Sequence, residues 1–98
     1  MSKALEDVIA ERKRQIEVEG WTAEYDDMHK EGELALAGSC YALEAGDRLY
    51  LKMDVPSKLP MAMWPWSSTW WKPTTPRRDL IKAAALILAE IERIDHET

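Results

Sequence analysis

Between Asp54 and Pro76 the chain carries all five of its prolines and four of its five tryptophans. Each proline fixes φ and removes a backbone donor, so neither an uninterrupted helix nor a central strand can run through this stretch. Trp64, Trp66, Trp70 and Trp71 fall within eight residues of one another. Their rings must therefore be presented from an ordered loop or beside one. Lys72, Arg77 and Arg78 flank them. Aromatic faces next to cationic side chains suit a flat, anionic ligand, because bases can stack while phosphates pair. The same rings could instead plug the core of a small protein, and at this level both readings stand.

A chain of 98 residues makes a single domain, residues 1–98, with one modest core that pairing with a second copy could complete. Eighteen acidic against thirteen basic side chains leave a net charge of −5. That balance argues against duplex DNA as a partner, since affinity for it comes mainly from cation–phosphate contacts. A local basic pocket around Arg77 and Arg78 remains compatible with a small nucleotide. The lone cysteine, Cys40, excludes an internal disulfide framework and suits a reducing cytoplasm. The charged N-terminal stretch lacks the apolar region of a signal peptide, and the longest apolar run, Ala83 to Ala89, is too short to cross a bilayer. The expectation is a cytoplasmic protein with no membrane partner.

Outside the proline segment the pattern is helical. Ser2 to Glu19 reads as a helix with Ser2 as N-cap and Gly20 as its stop; Leu5, Val8, Ile9 and Ile16 form a thin apolar face, with Lys13, Arg14 and Glu17 solvated opposite. A second helix is predicted from about Lys30 to Ala45, with Leu34, Ala37, Cys40 and Tyr41 on one face and Gly46 near its end. Arg48 to Met53 either extends it or forms a short extended piece. The third is the clearest, with Thr75 as N-cap, Pro76 at the first helical position, and Arg77 to about Asp95 following. Leu80, Ala84, Ile87, Ile91 and Ile94 recur at spacings of three and four. Ile81, Ala83 and Leu88 widen the stripe enough to call for two neighbours, one of them a possible second subunit. The expected architecture is all-α: three main helices and an ordered aromatic loop.

Three constellations could carry chemistry. Asp26, Asp27 and His29, with Glu24, Glu31 and Glu33 nearby, offer oxygen ligands for a divalent cation, or simply an acidic cap for the second helix. Glu33 and Glu44 are eleven residues apart, as are Asp79 and Glu90, so each pair lies along one side of its helix. Antiparallel packing could bring the four together around Mg²⁺, or leave them as solvated flank carboxylates. The third set is Trp64, Trp66, Trp70, Trp71, Lys72, Arg77 and Arg78, joined by Arg12, Arg14 and Trp21. Two arginines in the first turn of a helix oppose its dipole, which a bound anion would relieve. A carboxylate such as Asp26 or Asp27 would satisfy them equally well. Cys40 lies on an apolar helix face, where a buried, inert thiol is the ordinary outcome.

The strings Glu11-Arg12-Lys13-Arg14-Gln15, Glu19-Gly20-Trp21-Thr22, Asp26-Asp27, Gly32-Glu33-Leu34-Ala35, Cys40-Tyr41-Ala42, Trp64-Pro65-Trp66, Trp70-Trp71-Lys72-Pro73, Arg77-Arg78-Asp79-Leu80 and Ala85 to Arg93 span nearly the whole chain. Together they resemble a family of short phage and prophage proteins. That resemblance implies a bacterial host cytoplasm and an accessory role during infection. Small phage proteins with pockets lined by aromatics and arginine include sponges for nucleotide immune signals, and sequestration without catalysis is the function expected by analogy. The chain is also faintly similar to MazG-like nucleotide pyrophosphohydrolases, which carry neighbouring glutamates and a later Glu-x-x-Asp; Glu31, Glu33 and the Glu92–Asp95 spacing carry this likeness. The hydrolase reading assigns Mg²⁺ to the spaced carboxylates Glu33, Glu44, Asp79 and Glu90, whereas the sequestration reading needs no cofactor. A third expectation is an adaptor or inhibitor that grips a host protein through its tryptophans.

Overall fold

The computed structural model describes residues 1–18 and 32–97. Among these, three helices and no strand are found: α1 (Lys3–Glu17), α2 (Glu33–Leu51) and α3 (Pro76–Glu97), with a single 3₁₀ turn (Ser68–Trp70) between the last two. The all-α architecture follows the helical periodicity, and the proline segment is indeed the long connection. Trp21, Asp26, Asp27 and His29, and the stop at Gly20, lie outside the described residues.

The helix starts follow from local chemistry. Ser2 Oγ accepts the Leu5 amide at 3.1 Å, and Thr75 Oγ1 accepts the Arg78 amide at 3.1 Å, each satisfying a donor that the first turn leaves open. Pro76 then opens α3, where its missing N–H costs nothing. The second helix is preceded by Gly32 as its N-cap, whose φ of 88° favours glycine, and runs on past Gly46 to Leu51. Lys52 closes it in the left-handed region, with the Met53 amide donating to the Arg48 carbonyl at 2.9 Å. Arg48 to Leu51 therefore extends α2.

α3 is the central element, packed on both other helices. It runs antiparallel to α2: Gly32 lies beside Glu90, Gly38 against Ala83 and Ile87, and Arg48 faces Asp79. The core is built from Leu34, Ala37, Cys40 and Tyr41 of α2 and Ala83, Leu86 and Ala89 of α3, closed by Trp64 and Trp71 from the loop. α1 meets the other flank of α3 through ion pairs: Asp7 with Arg77, Glu11 with Arg78, and Arg12 with Glu92.

Because the loop lacks ladder hydrogen bonds, side chains from the helices supply its backbone partners. Glu44 accepts the Ser57 amide at 2.9 Å, and Arg48 donates to the Asp54 carbonyl at 2.8 Å and to that of Thr74. Asp79 accepts the Thr74 amide at 2.9 Å, Lys82 donates to the Lys72 carbonyl at 2.7 Å, and the Tyr41 hydroxyl accepts the Lys72 amide at 3.1 Å. Indole donors add to this, from Trp71 to the Ser57 carbonyl and from Trp64 to that of Ser67. The buried charges of α2 and early α3 are thus used to hold an irregular segment in one shape.

Two expected faces are turned around. On α1 the buried residues are Glu11, Arg12 and Gln15, while Leu5, Ile9 and Ile16 are exposed. The reason is electrostatic: α1 docks through carboxylates and guanidiniums that find partners on α3, not through its thin apolar stripe. On α3, Leu80, Ile87, Ile91 and Ile94 are all between 42% and 50% exposed. The helix buries instead its adjoining side, with Asp79, Ile81, Ala83, Ala85, Leu86, Ala89, Glu90 and Arg93.

Candidate ligand site

An aromatic cluster grows from the core outward. Tyr41 stacks on Trp71 with ring centroids 4.8 Å apart and planes 27° from parallel. Trp64 meets Tyr41, Trp66 and Trp71 edge-on at 5.6, 5.4 and 5.0 Å. Such edge and offset geometries are the ones aromatic quadrupoles favour. Trp71 and Trp64 are buried, Trp66 is half-buried, and Trp70 is 54% exposed. The rings therefore form a graded wall, fixed at its base and open at its rim.

That wall lines a cavity of about 370 Å³, within the range typical of small-ligand sites. Trp64, Trp66, Trp70, Lys72 and Arg78, all foreseen from sequence, border it together with Arg14. Three other predicted residues lie elsewhere. Trp71 is the core support beneath Tyr41, Arg12 is buried with its Nε 2.9 Å from Glu92, and Arg77 pairs with Asp7 at 2.9 Å outside this cavity.

Residues that sequence reasoning left out complete the lining: Glu11, Gln15, Tyr41 and Lys82 above all. Glu11 organises the cationic side. Its two oxygens accept Arg14 Nε and Nη2 at 2.8 Å each, Gln15 Nε2 at 3.2 Å, and Arg78 Nη2. Burial pushes the Glu11 carboxyl upward, but hydrogen bonds and charge from Arg14 and Arg78 outweigh it and hold the pKa below the ordinary glutamate value. An ionised Glu11 thus fixes two guanidiniums at the cavity wall. The Gln15 amide oxygen is buried with no hydrogen-bond partner among the described residues, and can accept from a ligand N–H or O–H. Lys82 reaches in from α3, its Nζ 5.3 Å from the Tyr41 ring centroid. Burial lowers its pKa, Asp79 offsets part of that, and Arg78 adds to it. Lys82 had one legible signal, its place four residues after Arg78 on the same helix side.

The four carboxylates considered for Mg²⁺ separate into two pairs. Glu33 and Glu90 lie toward the start of α2, and Glu44 and Asp79 toward its end, where both are engaged in holding the loop. Asp79 has its pKa raised by burial, with the Thr74 amide, Lys82 and Arg48 pulling the other way. Among the described residues, no group of three or more histidine, cysteine or acidic side chains is placed to hold a metal ion. Cys40 is buried, and burial raises its thiol pKa, as its helix face suggested. No helix among the described residues is long and apolar enough to cross a membrane. No protein-family model, curated protein or solved structure matches the chain, so a functional reading rests on these residues and their geometry.

Proposed function

We propose that the cavity binds a small anionic ligand of nucleotide type, with its base against Trp66 and Trp70 and its phosphate toward Arg14, Arg78 and Lys82. One observation carries the reading: among the described residues, four cations and four aromatic rings border the same cavity in a chain whose net charge is −5. A ring wall with no charge would suit an apolar ligand, and a basic patch with no rings would suit phosphate alone. The inward packing of Trp64 and Trp71 also favours a cavity over a host-protein anchor, which needs its rings at the surface. Taken with the likeness to phage proteins, the reading is sequestration of a nucleotide signal without turnover, in a bacterial cytoplasm.

The exposed aliphatic stripe of α3 supports a homo-oligomer as the working form, because a row of half-exposed leucine and isoleucine is costly in water. The test of the function is a thermal-shift screen of nucleotides, cyclic dinucleotides and ADP-ribose derivatives, with and without Mg²⁺, followed by chromatography of each hit. A raised melting temperature with the ligand recovered intact is the expected result. Products formed only with Mg²⁺ would replace sequestration by pyrophosphohydrolysis, and no shift with any compound would remove the nucleotide reading.

A further inference from the structure

A second cavity, of about 310 Å³, shares Glu11, Arg14 and Arg78 with the first, so the two adjoin along that ion cluster. Its remaining walls are Asp7, Ala10, Arg77 and Ile81, with no aromatic ring among them. Among the described residues, a base has nothing to stack on there. What the outer cavity does offer is Arg77, more than half exposed and oriented by Asp7 at 2.9 Å. The hydrogen bond from Arg77 is the main cause of Asp7's lowered pKa, which keeps the Asp7 carboxylate ionised at neutral pH. Moving outward, the order of groups is rings, then Arg14 and Arg78 about the Glu11 carboxylate, then Arg77.

Charge points the same way. Among the described residues that line the inner cavity, Arg14, Lys72, Arg78 and Lys82 stand against one carboxylate, Glu11, a surplus of three positive charges. A nucleoside monophosphate brings at most about two negative charges near neutral pH, whereas each further phosphate adds about one more. Guanidinium forks match phosphate oxygens in pairs, so consecutive arginines along a groove suit consecutive phosphates.

From this we infer that the ligand is a nucleotide with one base and a chain of at least two phosphates, read by Arg77 in the outer cavity. The inference rests on the nucleotide reading of the inner cavity and narrows it: nucleoside monophosphates are discriminated against, and the described walls of the outer cavity offer a second base no ring. Arg77 is the length-sensing contact, whereas Arg14 and Arg78 serve the first phosphate of any nucleotide.

The experiment is calorimetric titration with the mono-, di- and triphosphates of adenosine and of guanosine, without Mg²⁺, on the full chain and on Arg77→Ala. Arg77 is exposed and its partner Asp7 lies at the surface, so the variant keeps its fold, which circular dichroism checks. In the parent, the diphosphate is expected to bind about tenfold or more tighter than the monophosphate, as one added charge-assisted contact gives. In Arg77→Ala that gain collapses to about threefold or less, with monophosphate affinity roughly unchanged. Equal affinity for mono- and diphosphate in the parent overturns the inference while leaving the inner site intact. A gain that survives Arg77→Ala overturns it too. If none of the six nucleotides binds, this inference falls, and the reading beneath it falls too only when the wider thermal-shift screen is also negative.

Discussion

Lys82 illustrates how one side chain can pull stability and binding in opposite directions. Burial lowers its pKa from the ordinary 10.5, so the folded state gives up this proton before the unfolded chain does. Between the lowered value and 10.5, the unfolded state binds more protons, and Lys82's contribution to stability rises with pH. Anion binding needs the charged form and falls across the same window. Compared with Lys82→Met, the parent is therefore expected to gain relative stability and lose relative nucleotide affinity as pH climbs toward 10.5. Denaturation and titration at matched pH check the two signs. The adjacent indoles divide in the same spirit. Trp71→Ala empties a buried core position and should cost about 3–5 kcal/mol of stability. Trp70→Ala, at an exposed rim, should cost about 1 kcal/mol or less while weakening ligand binding by about 1–3 kcal/mol. Equal stability losses for the two would mean that both rings are core. The sequence placed the two side by side with nothing to separate them, because the choice depends on which ring Tyr41 stacks against.

The two glycines of α2 make the equivalent point for an element. A Cβ at Gly38 would meet the Ala83 carbonyl oxygen and Ile87 Cγ1 at 3.1 Å, whereas at Gly46 nothing lies within 4 Å. Gly46→Ala should therefore stabilise the protein by about 0.5–1 kcal/mol through helix propensity alone. Gly38→Ala should destabilise it, since overpacking against a neighbouring backbone costs about 1–3 kcal/mol and exceeds that gain. Chemical denaturation of the two variants gives opposite shifts if α2 and α3 are seated as described. From sequence, Gly38 weakens the helix pattern yet belongs to a run of small residues that allows close helix approach; that α3 is the neighbour, through Ala83 and Ile87, appears only in the structure. The same holds for α1. Its apolar spacing at Leu5, Ile9 and Ile16 was legible, but the helix buries Glu11, Arg12 and Gln15, and the partners that Glu11 and Arg12 find on α3 are more than sixty residues away in the chain.

At the scale of the whole molecule, a surface feature with consequences is the stripe Leu80, Ile87, Ile91 and Ile94, turned away from the side of α3 that carries Lys82 and Leu86 to the cavity. Replacing Ile91 by glutamate should shift the protein toward monomer in light scattering, with helical content kept, because the site is half exposed in a single copy. A parent that is already monomeric would remove the oligomer proposal. What the sequence determined by itself is local. Proline content excluded regular structure from the Trp segment, Ser2 and Thr75 set two helix starts, and period-3.6 spacing produced three helices. These effects act over a few residues and can be read from neighbours in the chain. The tertiary structure decided which faces those helices bury, which tryptophans are core and which line a cavity, and that Glu11, Gln15, Tyr41 and Lys82 share it with Arg78. Those outcomes depend on charge pairing and packing between segments far apart in sequence, where burial strengthens each interaction and periodicity carries no record of the partner.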